Sequence, residues 1–480
     1  MGWKIEYKKF ERFLNNHSEH WPFKKFKTLQ RLNSLKESEL EKDLESYEAI
    51  VLGDEEFIPM ALNVSIMIHV GKVEELKKQY NRLSSRYEAT NGYLPMHHHE
   101  DSFCSIPLRE QNSYSDLRGF KFTENEYFET LESSINRVTE SFVQISFRYM
   151  YSEKYKNEFQ KILTDYKSRE YQIVDITIHD LLKRRTGQII ANNNSNLTQN
   201  GISKFLEKSR WHALEILGKK LTDLHIGPMD SVFSLFVFGF KVDSNEGEMR
   251  NDSFSRQLFL YLRRKSPHSY RDSEGKVELH YEVGEYRRLD TNSEMLFFNR
   301  AAFSEADIVM HGGEFSYLIM NMLRIYIECG ITTHFSIITL LLHYYSLLTK
   351  YRYTRFAKYT RRSLQRYSRF LRETHYFRAF IDEYSHDENE MENHFKCSVY
   401  ELSANYGKDI LKPLYITIYR RIIARLAAIH ALEKQITSIV NVHKDHAIVK
   451  STRRLSVLMI ILAIVAIVTQ CPIFEKLFTN

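Results

Sequence analysis

The chain has 480 residues, enough for two or three domains of roughly 150 residues each and for a sizeable core. Lys and Arg (67) exceed Asp and Glu (61) by a formal +6, so the chain is only mildly basic and the distribution of charge carries more than its sum. Four cysteines lie far apart without a CxxC pair, which excludes a disulfide framework and fits a reducing compartment; 30 Tyr and 31 Phe beside only 17 Gly and 8 Pro argue against a turn-rich sandwich or barrel. That balance favours helices, and with the strands read below the expected fold is α+β, predominantly helical.

In chain order, residues 1–91 form a helical amino-terminal region, in which Leu40, Leu44 and Tyr47 recur at i, i+4, i+7. No apolar run follows Met1, so no secretory signal is expected, and Met1–Glu6 lacks the Ser or Thr of a myristoylation start. Within the region, Val64–Val70 is a short strand before a helix from Val73 to about Thr90. Residues 92–118 lose all periodicity and contain Pro95 and Pro107, as a loop between domains does. This loop carries the densest ligand cluster of the chain. His97, His98, His99, Glu100 and Asp101, with Cys104, offer the imidazole, carboxylate and thiolate groups that hold a divalent transition metal. Consecutive residues cannot all converge on one ion, and a solvated polar loop has the same composition.

Residues 119–349 are expected to form an α+β domain. A helix near Asn125–Val138 precedes a half-buried strand, in which Val143, Ile145, Phe147 and Tyr149 alternate with Gln144, Ser146 and Arg148. A helix from Glu153 to about Tyr166 comes next. Ile173–Ile190 fits helix and strand equally. The polar run Asn192–Gly201 is expected as a loop and a second candidate boundary, Ile202–Leu221 as a helix, Val232–Val242 as a fully buried strand and Lys276–Val283 as another. Ile331–Leu348 is apolar enough to be mistaken for a membrane span. Its His334, His343 and several Ser and Thr, and the basic segment after it, favour a core helix.

Residues 350–413 are basic, then acidic. Lys350–Arg378 holds ten Lys or Arg against one acid, Glu373, and Arg355, Arg362, Arg366 and Arg369 fall away from a stripe of Tyr353, Phe356, Leu364, Tyr367 and Leu371. Such a helix suits an acidic protein surface or anionic lipid headgroups, with nucleic acid ranked behind both. The bland alternative is internal neutralisation by Asp382, Glu383, Asp387, Glu388 and Glu390.

Residues 414–454 form a helical stalk. Ile418, Ile422, Leu426, Ile429, Ile436, Val440, His443 and Ala447 keep a spacing of three, four or seven, the seam of a coiled coil that makes a homo-oligomer, or of packing against the chain's own helices. The stalk runs into Leu455–Phe474, twenty residues without a charge, which as a helix is about 30 Å long, the thickness of a bilayer's hydrocarbon core. Lys450, Arg453 and Arg454 precede this stretch, and only Lys476, beside Glu475, comes after it. The expectation is a tail-anchored, single-pass membrane protein with its amino-terminal bulk in the cytoplasm.

Catalytic signatures are missing: there is no GxxxxGK[ST], GxSxG or HExxH. His311–Phe315 (HGGEF) is one residue short of the GGDEF signature of diguanylate cyclases, whose DxDxFK partner is matched only at Phe240–Lys241. In its order of parts, a cytosolic α+β body, a long helix and an adjoining span, the chain resembles CorA-type divalent-cation channels. It departs from them at their Gly-Met-Asn signature, where Thr469–Pro472 stands. The first expectation is a non-enzymatic membrane-tethered sensor, scaffold or membrane-acting effector; the alternatives are a CorA-like channel and a tethered metal-dependent hydrolase using His97–Asp101.

Overall fold

A computed structural model describes residues 56–84, 86–90, 114–164, 170–174, 188–192, 194–241, 268–271, 277–281, 293–310, 313–328, 331–354, 361–386 and 412–470. The fold is mixed α+β. The described chain falls into two compact units, one comprising the residues up to His225 with Phe233–Thr332, the other Ile226–Val232 with the residues from Thr333 onward.

The first unit is built on a nine-stranded sheet. Strand β1 (Glu56–His69) lies at its centre, between β5 (Phe142–Tyr151) and β8 (Phe233–Lys241). Beyond β5 come β4 (Phe128–Arg137), β3 (Tyr114–Lys121) and the edge strand β2 (Glu88–Thr90). Beyond β8 come β11 (Ser293–Asn299), β10 (Val277–Tyr281) and the other edge, β9 (His268–Arg271). β11 runs parallel to β8 and every other pairing in this sheet is antiparallel. Two further strands, β6 (Glu170–Val174) and β7 (Gln188–Asn192), pair by themselves, so both ends of the stretch that fitted helix and strand equally are strand.

Pro59 sits in the central strand, where its missing N–H is normally excluded. The register explains its presence. Pairing with β5 begins only at Ala61, and the β1–β8 ladder shifts between Pro59 and Ala61, so the proline lies beyond the β5 ladder and next to a bulge at Met60. On one face of β1 and β5, Leu62, Val64, Ile66, Ile145, Phe147 and Tyr149 are fully buried. The helices α1 (Val73–Ser84), α2 (Glu153–Thr164) and α3 (Asn194–Leu217) supply matching side chains: Leu76, Tyr80 and Leu83 from α1 at i, i+4, i+7, and Tyr155, Phe159 and Leu163 from α2 at i, i+4, i+8. The Tyr80 and Ser133 hydroxyls bond each other, Phe57 lies between Phe238 (4.9 Å) and Phe159 (6.0 Å), and the Tyr149 hydroxyl donates to the Ala213 carbonyl at 2.9 Å. Each such fully buried aromatic or aliphatic side chain contributes about 1.5–3 kcal/mol. A short helix α4 (Lys219–Thr222) comes after α3, and α5 (Glu305–Met310) and α6 (Phe315–Glu328) come after the sheet. Gly239 of β8 lets α6 approach, because a Cβ there would stand 3.1 Å from the Phe315 ring.

Expectations for this unit change at four points. Residues 128–137 are strand rather than helix: Asn125, which has the look of a helix cap, accepts the backbone N–H of Tyr127 (2.8 Å) and Phe128 (3.0 Å) through Oδ1, but the chain it launches is β4. The Asn-rich run is not a loop from Asn194 onward; it forms the opening turns of α3. The strand over Val143–Tyr149 is not half-buried, since all ten residues of β5 are buried. In addition, α1 stops at Ser84 and Glu88–Thr90 is strand.

The second unit is helical: α7 (Ile331–Thr354), whose first two residues belong to the first unit, α8 (Arg361–Glu373), α9 (His375–His386) and α10 (Lys412–Gln470). Buried Phe335, Ile337, Leu340, Leu341, Tyr344 and Leu348 make α7 a core helix. The Tyr344 ring stacks on Phe370 of α8 (6.5 Å) and Phe377 of α9 (5.6 Å), and its hydroxyl donates to the Glu433 carboxylate of α10 at 2.6 Å. Arg378 pairs with the same carboxylate at 3.3 Å, and the Arg425 guanidinium lies 4.8 Å over the Tyr345 ring. One tyrosine thus ties four helices together. Helix α10, 59 residues long, extends about 90 Å.

Candidate functional site

Helix α10 changes character twice along its length. From Ile418 to Val440 it buries Ile418, Ile422, Leu426, Ile429, Leu432, Ile436 and Val440 within the chain and exposes most residues between them, as an amphipathic helix on its own core does. From Asn441 to Arg454 it is almost wholly exposed, with His443 and Ala447 half-buried. From Leu455 to Ile467 every residue is exposed although none is charged. The ten large apolar side chains of that stretch are each 50–69% exposed and point to all sides. Single exposed apolar residues are ordinary, whereas a contiguous exposed apolar surface marks a place where another apolar phase or partner belongs.

The polar groups at this junction are arranged consistently with that. The Thr452 hydroxyl donates to the Ile448 carbonyl and the Ser456 hydroxyl to the Thr452 carbonyl, both at 3.0 Å, so neither needs water. Lys450, Arg453 and Arg454 are exposed and have no ion-pair partner among the described residues. Among the described residues no helix is long and apolar enough to cross a membrane. Side chains of α10 are described as far as Ile467, and Leu455–Ile467 measures about 20 Å. The charge-free run expected as a span continues to Phe474, four residues past the described end of the helix at Gln470.

Of the other expected site residues, His97, His98, His99, Glu100 and Asp101 lie outside the described residues, as do Cys104 and Arg355. Among the described residues no group of three or more His, Cys, Asp or Glu is placed to hold a metal ion. Arg362, Arg366 and Arg369 belong to α8; Arg369 is exposed and its Nε bonds the Glu373 carboxylate at 2.7 Å, one turn on. The basic segment is not one helix: Tyr353 lies in the last turn of α7, and α8 begins at Arg361.

Two arrangements escape a reading of the sequence. The second face of β4, β5 and β1 is polar and still buried: Asn63 Nδ2 donates to Ser65 Oγ at 3.2 Å, Ser65 and Ser146 share a bond of 2.9 Å, and Arg148, 2% exposed, pairs with Glu132 at 3.4 Å. The alternation of Gln144, Ser146 and Arg148 is visible in the sequence, but alternation alone says nothing about whether the polar face is covered. The second is the Tyr344–Glu433–Arg378 group, whose members lie on three helices with no local pattern to link them. Burial, and then the Glu433 carboxylate, push the Tyr344 hydroxyl far above the usual phenol range, so it stays a donor and is no nucleophile at neutral pH. The group is built to hold helices together.

No protein-family model, curated protein or solved structure matches the chain.

Proposed function

We propose that this protein is a membrane-tethered module, a sensor, scaffold or membrane-acting effector, whose α+β body stands on the cytoplasmic side of a bilayer that α10 enters at Leu455. The observation that carries the reading is the exposure of Leu455–Ile467 on all sides of the helix. Water surrounds such a surface at a cost of about 25 cal/mol for each Å² of apolar area. In a bilayer each Leu, Ile or Val instead contributes about 0.3–0.6 kcal/mol to insertion, and the helix satisfies its own backbone. The cations at the start of the run, Lys450, Arg453 and Arg454, orient the body to the cytoplasmic side. The seam Ile418–Val440 is filled by the chain's own side chains, so assembly of copies through α10 falls to the part beyond Asn441.

The experiment is a truncation. The full chain is expected to stay in the membrane fraction through high salt and alkaline carbonate, and the chain ending at Arg454 to be soluble and folded. Release of the full chain by salt, or retention of the truncated one, overturns the reading.

A further inference from the structure

We propose that Lys450, Arg453 and Arg454 form a binding face for anionic phospholipid headgroups, which gives the tether a preference for one class of lipid; this rests on the membrane reading above. At 100° per residue the three side chains leave α10 within an arc of about 100°, and four residues along the axis place them within about 6 Å of one another in depth. A headgroup layer is roughly 5–8 Å deep, so a helix whose hydrocarbon segment starts at Leu455 holds all three cations inside it. Each is exposed, and none has a partner among the described residues. Asp445, the one acid between Asn441 and Arg454, leaves the helix about 140° round from Lys450 and about 180° from Arg454, and lies about 12 Å along the axis from Arg453. It therefore does not neutralise the face.

Exposed cations alone describe a solvated surface. The second observation is their continuity with the exposed apolar segment: the residue after Arg454 begins a run of ten large apolar side chains, each at least half exposed. A surface that is cationic on one arc and borders an all-round apolar cylinder is complementary to a phospholipid, whose phosphate and acyl chains present the same two chemistries in the same order. Zwitterionic headgroups carry their own ammonium and gain little; phosphatidylserine or phosphatidylglycerol brings net negative charge. Each Lys or Arg engaged near an anionic surface is worth on the order of a fivefold preference.

The test uses the full chain reconstituted in phosphatidylcholine vesicles with trace spin-labelled lipid, the motionally restricted fraction being compared for phosphatidylserine and phosphatidylcholine labels. Resistance to carbonate extraction is measured first, so that failure to insert is scored against the membrane reading and not against the lipid face. In the inserted protein a several-fold preference for the phosphatidylserine label is expected. It falls to about one in K450Q/R453Q/R454Q and shrinks in high salt, and K450R/R453K/R454K keeps it. Equal restriction of both labels by the inserted wild-type chain overturns the proposal, as does a preference that survives in the triple Gln variant.

Discussion

Two stretches of α10 carry large apolar side chains in opposite surroundings. Between Ile418 and Val440 the large apolar residues of the seam recur every three or four positions and are buried, and charged residues such as Arg420, Lys434 and Glu433 occupy the remaining faces. Between Leu455 and Ile467 the apolar residues are contiguous, all are exposed, and no polar face exists. The difference teaches how to read a long helix. Periodicity encodes two surroundings, one apolar and one aqueous; its loss encodes a single apolar surrounding, which the described chain does not provide here.

The sharpest way to break this contrast is to place the same charge in both ends. Ile429→Asp puts an unpaired carboxylate at a position with no exposure, and a loss of more than about 4 kcal/mol is expected, enough to unfold the helical unit in detergent as followed by circular dichroism. Ile460→Asp, at 59% exposure, is expected to change folding stability by less than about 0.5 kcal/mol. Under the proposed membrane reading its effect is expected in the bilayer instead, where a charge costs up to about 2.5–3.5 kcal/mol at the centre of a span and less towards its ends, and retention in the bilayer falls. Equal loss of folding stability from the two substitutions would remove the distinction between the ends.

A smaller effect is expected where the packed end is tied to its neighbours. Tyr344→Phe keeps the ring against Phe370 and Phe377 but removes the donor to Glu433, leaving that carboxylate with Arg378. Hydrogen bonds to charged groups contribute about 1.5–3 kcal/mol, and a loss of unfolding free energy of that size, obtained from the urea midpoint and slope, is expected with no change in membrane retention. A cost under about 0.5 kcal/mol would mean that water replaces the hydroxyl and that the carboxylate was never desolvated.

Long-period features of this chain were legible in its sequence and local ones often were not. The α10 seam, the core helix over Ile331–Leu348 and the strand over Val232–Val242 are sustained patterns, and propensity summed over many residues outweighs single exceptions. The expectations for Asn125–Val138 and for Asn192–Gly201 fail at segments that open with Asn: Asn and Ser bond nearby backbone N–H groups in loops, caps and turns alike, as Asn125 does, and so do not specify helix or strand. The buried side of β5 was invisible because the cover over Gln144, Ser146 and Arg148 is a tertiary fact. The apolar run after Arg454 needed no tertiary context. The structure adds that the described chain leaves this run exposed on every side.

The mildest expected effect concerns pH and again separates packing from exposure. His343 of α7 is 8% exposed, its ring faces Phe377 at 6.4 Å, and neither ring nitrogen has a hydrogen-bond partner among the described residues. Burial pushes its pKa below the ordinary imidazole value, and the negative charge of Asp230 opposes that only in part. With the folded pKa below the unfolded one, the unfolded chain binds more protons as pH falls through about 6.5, so the stability present at neutral pH is lost on acidification. One group contributes a slope of at most about 1.4 kcal/mol per pH unit. His343→Phe keeps a ring against Phe377 and removes the proton site, so the fall in stability between pH 7 and pH 5 should be shallower in the variant than in the wild-type chain. Parallel profiles for wild type and His343→Phe would show that this imidazole is solvated in the folded protein, and that the cover over α7 is looser than its burial implies.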